Sequence, residues 1–108
     1  MSTMLLAVDI GNTNVTLGIF QGDALTATWR LATDVQRTTD EYHVLLMSLL
    51  QHAGVAPENI SSVAMCSSVP PLVYTFRELC KKHLRLDPLV VGAGIKTGIR
   101  VLYENPRE

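Results

Sequence analysis

A chain of 108 residues, 47% hydrophobic and 18% charged, has the make-up of one folded domain around a single core, which excludes disorder. Its formal net charge of −1 offers no grip on a phosphate backbone, so no nucleic-acid partner is expected. No apolar run nears the roughly 20 residues of a membrane span, and no basic amino-terminal region feeds a cleavable apolar segment, so no membrane partner is expected either.

Residues 5–10 form an apolar run broken only by Asp9, the pattern of a strand buried on both faces. Gly11, Asn12, Thr13 and Asn14 are turn residues that tolerate positive φ. Val15, Leu17 and Ile19 alternate with Thr16 and Gly18 as a second strand, and Gln21-Gly22-Asp23 is another tight turn. Leu25, Ala27, Trp29 and Leu31 alternate with Thr26, Thr28 and Arg30, a third strand with one wetter face. Short connections make the three an antiparallel meander.

The period then changes. Tyr42, Leu45, Leu46, Leu49, Leu50 and Ala53 recur at helical spacing, with Thr38 and Glu41 at capping-box spacing and Gly54 and Pro57 at the end. Residues 62–66 read as a fourth strand, and Pro70-Pro71 open a second helix faced by Leu72, Phe76, Leu79, Cys80 and His83. Residues 89–91 read as a fifth strand and residues 99–103 as one more. Three antiparallel strands followed by helix–strand–helix–strand predict an α/β fold, a mixed sheet of ribonuclease-H-like or actin-like type.

The chemistry concentrates at Asp9-Ile10-Gly11-Asn12-Thr13-Asn14. An acid at the end of a buried strand opens onto a cleft and can hold Mg²⁺ directly or through water. The turn amides can form an anion nest, with Asn12, Thr13 and Asn14 as neutral donors. The plainer alternative is a hairpin turn whose Asp bonds its own amides.

Other segments invite weaker readings. Residues 92–98 fail the P-loop pattern, because Ile95 stands where a glycine must precede Lys96, and Gly98 falls one place late for a dinucleotide fingerprint. Asp40 and Glu41 read as helix-start acids. His43 and His52 are expected on the wetter sides of their helix and His83 near a helix end, none with a partner at ligand spacing. Ser67-Ser68 reads as the loop before Pro70, Trp29 as sheet packing and Cys66 as an inert core thiol. Cys66 and Cys80 form neither a CxxC nor a metal-ligand pattern, so two free thiols in a reducing cytoplasm are expected.

The Asp9–Asn14 stretch resembles the first phosphate motif of type III pantothenate kinases. Trp29-Arg30, Arg37-Thr38-Thr39-Asp40-Glu41-Tyr42, Ser67-Ser68-Val69-Pro70 and Tyr103-Glu104-Asn105-Pro106-Arg107-Glu108 resemble further segments of that family, in its order. The resemblance implies transfer of the γ-phosphoryl of ATP to pantothenate, the first step toward coenzyme A. It implies that Asp9, Ile10, Gly11, Asn12, Thr13, Asn14, Val15 and Thr16 bind ATP phosphates, that Asp9 organises Mg²⁺, and that Tyr103 lines the pantothenate pocket. It also implies a monovalent cation (K⁺ or NH₄⁺), a homodimer and a cytoplasmic location. In that family the Asn-Pro segment leads to a Gly-Ala-Asp-Arg motif carrying the general base. The sequence ends at Glu108, before any such motif, so residues 1–108 are expected to be one lobe, with the second lobe absent and no turnover on its own. Two alternatives stand beside this one: another actin-like small-molecule kinase, or a non-catalytic nucleotide-responsive regulator on the same fold.

Overall fold

A computed structural model describes residues 3–91. The elements run β1 (Met4–Ile10), β2 (Asn14–Gln21), β3 (Ala24–Ala32), α1 (Thr39–His52), a 3₁₀ turn (Pro57–Asn59), β4 (Ile60–Ser67), α2 (Pro70–Leu79), a π turn (Cys80–Leu84) and β5 (Leu89–Val90). The sheet order is β3-β2-β1-β4-β5. β1–β2 and β2–β3 pair antiparallel, whereas β1–β4 and β4–β5 pair parallel. This is the expected mixed sheet of actin-like type. The further strand expected over residues 99–103 lies outside the described residues, as does the glycine-rich stretch 92–98.

Both helices pack on one face. Leu6, Val8 and Ile10 of β1, Val15, Leu17 and Ile19 of β2, and Val63 and Met65 of β4 form one buried cluster with Tyr42, Leu46 and Leu50 of α1 and Leu72, Phe76 and Leu79 of α2. The α1 residues recur at every fourth position, so one narrow stripe enters the core. Leu45 and Leu49 flank it half-buried, and Ala53, expected in the stripe, is exposed because it caps the helix end. Trp29 packs against this cluster, as expected. The opposite face carries a smaller cluster, Ala7, Phe20 and Cys66, with Leu5, Leu25, Ala64 and Val91 against it.

Two bulges set which side chains face which side. The β2–β3 register shifts between Ile19 and Phe20, leaving Thr26 as the extra residue, whose hydroxyl donates to Ile19 O at 3.2 Å. Leu25 therefore packs beside Phe20, while Ala27, Trp29 and Leu31 pack on the helix side. Sequence alternation put all four together; one inserted residue flips everything beyond it. The β1–β4 shift between Met4 and Leu5 repeats the device, with Ser61 Oγ donating to Met4 O at 3.1 Å.

The helix ends follow their sequence signals. Thr38 Oγ1 accepts the Glu41 N–H at 3.2 Å and Glu41 Oε1 accepts the Thr38 N–H at 2.8 Å, a complete capping box. At the other end Gly54, at φ +72°, lets Val55 N–H reach Leu50 O at 2.9 Å and its own N–H reach Gln51 O at 3.1 Å. The Pro70-Pro71 pair opens α2, where missing amide protons cost nothing.

Candidate functional site

The carboxyl ends of the parallel strands β1 and β4 meet at the amino-terminal end of α2. In open α/β sheets, ligand sites form at such strand ends. Asp9 lies one residue before the end of β1, paired with Thr16 of β2 and Cys66 of β4. Thr16 in turn pairs with Arg30 of β3. Arg30, Thr16, Asp9 and Cys66 thus form a row across the sheet face away from the helices.

Asp9 is 3% exposed, the one charged residue buried among the described residues. A buried carboxylate needs compensating donors. The Cys66 thiol supplies one, donating to Asp9 Oδ1 at 3.5 Å. Cys66 is therefore more than the inert core thiol expected, since its hydrogen bond goes to the site's acid. Cys80, buried under α2, makes a plain contrast: burial, reinforced by the Asp87 carboxylate, pushes its thiol up to about 12. A thiol held that high stays protonated at neutral pH and is a poor nucleophile.

After β1 the chain turns through residues 11–14. Gly11 N–H donates to Asn14 O at 2.9 Å, and a Cβ on Gly11 would lie 3.1 Å from that same oxygen. A side chain here would make the turn give by a few tenths of an ångström. No residue of the turn has positive φ, contrary to the conformational reason given for its Gly and Asn residues. Asn12 and Thr13 are exposed. The eight residues expected to bind phosphate therefore divide by placement. Ile10 and Val15 are fully buried on the helix face and can offer only backbone. Asp9 and Thr16 present side chains on the opposite face, and Asn12 and Thr13 form the exposed tip. Tyr103, expected to line a pantothenate pocket, lies outside the described residues.

Sequence reasoning missed several residues that hold this corner. Thr33, just past β3, donates from Oγ1 to Gly11 O at 2.7 Å and from its N–H to Thr13 O at 2.9 Å. Ser68 N–H donates to Ile10 O at 3.0 Å. The buried Tyr42 hydroxyl donates to Asp34 O at 3.0 Å and accepts the Asp34 N–H at 3.1 Å. A threonine after a strand carries no distinctive sequence signal. Ser67, as expected, serves the loop: its hydroxyl accepts the Val69 N–H at 2.8 Å.

The readings at the helices need one correction. His52 is exposed, as expected, but His43 and His83 stack ring on ring, with centroids 3.5 Å apart and planes 7° apart. Asp40 Oδ1 lies 3.4 Å from His83 Nε2 and 3.3 Å from Lys82 Nζ. Asp40 is therefore an ion-pair partner of the π turn after α2 as well as a helix-start acid, and the two histidines are partners although they lie 40 positions apart in sequence. No cluster of three or more metal-ligating side chains occurs among the described residues.

A five-stranded 3-2-1-4-5 sheet, antiparallel on one side of its central strand and parallel on the other, with both helices on one face, is a fold of the actin-like class. Solved structures agree at the level of fold. YeaZ from Pseudomonas aeruginosa superposes with a TM-score of 0.60 at 17% identity, over 83% of this chain and 44% of its own. The ROK hexokinase of Thermus thermophilus gives 0.61 at 13% identity, over 82% and 33%. The sequence narrows the class: the type III pantothenate kinase family model matches residues 5–108, and the chain belongs to that family. Type III pantothenate kinases of Dehalococcoides mccartyi and Anaeromyxobacter dehalogenans are 56% and 50% identical to it, over 100% and 97% of this chain. That of Halalkalibacterium halodurans is 43% identical over 97%. The chain spans about two fifths of the length of these curated relatives, 42%, 41% and 41% respectively.

Proposed function

We propose that this chain is the phosphate-gripping lobe of a kinase that transfers the γ-phosphoryl of ATP to the primary hydroxyl of pantothenate. The observation that carries the reading is the buried Asp9 at the end of β1, immediately ahead of the exposed 11–14 turn, in a chain matched by this family from residue 5 onward. The turn offers neutral donors, so the charge of a polyphosphate has to be offset by something else. Mg²⁺ held by Asp9, directly or through water, would neutralise charge on the transferring phosphoryl group. Asn12, Thr13, Asn14 and Thr16 then orient phosphate oxygens, while Gly11 keeps the turn tight. In the transfer, the bond from the γ-phosphorus to the bridging oxygen breaks and a bond to the pantothenate hydroxyl oxygen forms. The hydroxyl proton leaves to a base, which we place outside these 108 residues. Tyr103 in the pantothenate pocket, a K⁺ or NH₄⁺ requirement, a homodimer and a cytoplasmic location belong to the same proposal and rest on the family resemblance.

The test is ADP release by the full-length protein with pantothenate, sugars or short carboxylic acids as acceptor. Turnover with pantothenate alone is expected, abolished without Mg²⁺ and supported by K⁺ or NH₄⁺. Turnover with a sugar or an acid in its place would make the protein a different actin-like kinase. ATP binding without turnover on any acceptor would make it a regulator.

A further inference from the structure

We propose that Thr33 is a positioning residue for the phosphate turn, holding its carbonyls inward so that its amides face the nucleotide. The inference rests on the kinase reading above and adds a residue which that reading does not use. Thr33 commits two of the turn's carbonyls: Gly11 O accepts its hydroxyl at 2.7 Å and Thr13 O accepts its N–H at 2.9 Å. Asn14 O is committed separately, to Gly11 N–H at 2.9 Å. No peptide bond here is cis. In a planar trans peptide the C=O of one residue and the N–H of the next point in opposite directions. Drawing Gly11 O and Thr13 O toward Thr33 therefore turns the N–H groups of Asn12 and Asn14 away from it. Carbonyl oxygens would repel a polyphosphate where amide protons attract one, so this orientation decides whether the turn can act as an anion nest.

Thr33 is itself held from behind. The next residue, Asp34, donates its backbone N–H to the Tyr42 hydroxyl at 3.1 Å and accepts that hydroxyl's proton on its C=O at 3.0 Å. Tyr42 is 1% exposed and its ring packs on Phe76 with centroids 4.7 Å apart. A path of hydrogen bonds and one covalent step thus runs from the α1–α2 core to the turn.

Two substitutions in the full-length protein separate positioning from folding. Thr33→Val keeps the shape and the backbone bond to Thr13 but removes the hydroxyl; Thr33→Ser keeps the hydroxyl. The Val variant should raise KM for ATP by roughly tenfold, the scale of one lost hydrogen bond, with KM for pantothenate unchanged. The Ser variant should restore the ATP value. An unchanged ATP KM in the Val variant would overturn the proposal. So would a rise in both KM values together with a lowered Tm, or a failure of Ser to restore binding. A wild-type protein without pantothenate-dependent ATP turnover would remove the kinase reading and this inference with it, and shows before any variant is made.

Discussion

Asp9 is the residue on which chemistry and folding make opposite demands. Burial at 3% exposure disfavours a charge, yet the residue sits at the carboxyl end of a parallel strand, where ligand sites of open α/β sheets form, and takes a donor from Cys66. A carboxylate that served only the turn could be exchanged for its amide with little loss, because Asn keeps the size and most of the hydrogen bonding. If Asp9 holds Mg²⁺ against the phosphates, Asp9→Asn should lower kcat of the full-length protein by roughly two orders of magnitude, the scale of losing one electrostatic stabiliser of a transition state. KM for pantothenate should stay as it is. The check is kcat at varied Mg²⁺ with thermal unfolding alongside, and a folded variant with wild-type kcat would end the metal-binding role. The acid and its turn were legible in sequence because an acid inside an apolar run is conspicuous. Thr33 was not, because a polar residue after a strand looks the same whether it meets solvent or braces a turn.

Helices α1 and α2 were legible as elements, since their stripes, caps and proline start are all local signals. Their contact was not. His43 and His83 meet only because the fold lays the π turn that follows α2 beside the amino-terminal half of α1. His43 Nδ1 is buried with no hydrogen-bond partner among the described residues. Burial first, then the neighbouring His83 and Lys82, hold the His43 ring below its ordinary pKa, with the Asp40 carboxylate pulling the other way. A depressed value means that the unfolded chain binds the proton more tightly than the folded one. Stability from this site is therefore complete above the ordinary histidine value of 6.5 and is lost as pH falls below it. Hydrogen bonds from Lys82 and His83 lower the Asp40 carboxyl, so its contribution is lost only further down, as pH falls from 3.8 toward the lowered value. His43→Phe keeps a ring against His83 and removes the titration. Its Tm should fall less between pH 7 and pH 5 than that of the wild type, with the acid-side loss retained. Equal slopes in that window would show that His43 does not titrate against the fold.

At the scale of the molecule, sequence period fixes which strands exist, and the sheet fixes which face each side chain meets. The two agree along β1, where alternation is unbroken, and part company at Thr26 and Ser61. Each inserted residue carries a hydroxyl that bonds the partner strand's carbonyl, and nothing in the sequence separates such a residue from an ordinary exposed Ser or Thr. The same sheet order makes a claim about rigidity. β1 is paired along its whole length on both sides, to β2 and to β4, whereas β3 has one strand neighbour among the described residues and every second residue exposed. Asp9 is thus anchored in the strand best protected from opening, and the bulge at Thr26 with Arg30 exposed beyond it blunts the β3 edge against pairing with another chain. Local opening frees edge strands before central ones. Native-state hydrogen exchange on the full-length protein should therefore find the slowest amides in β1 and its contacts with β2 and β4. The β3 amides that point away from β2 should exchange orders of magnitude faster. If those β3 amides proved as slow as β1, the sheet would not end at β3, and a further strand or a second copy of the protein would have to cover that edge.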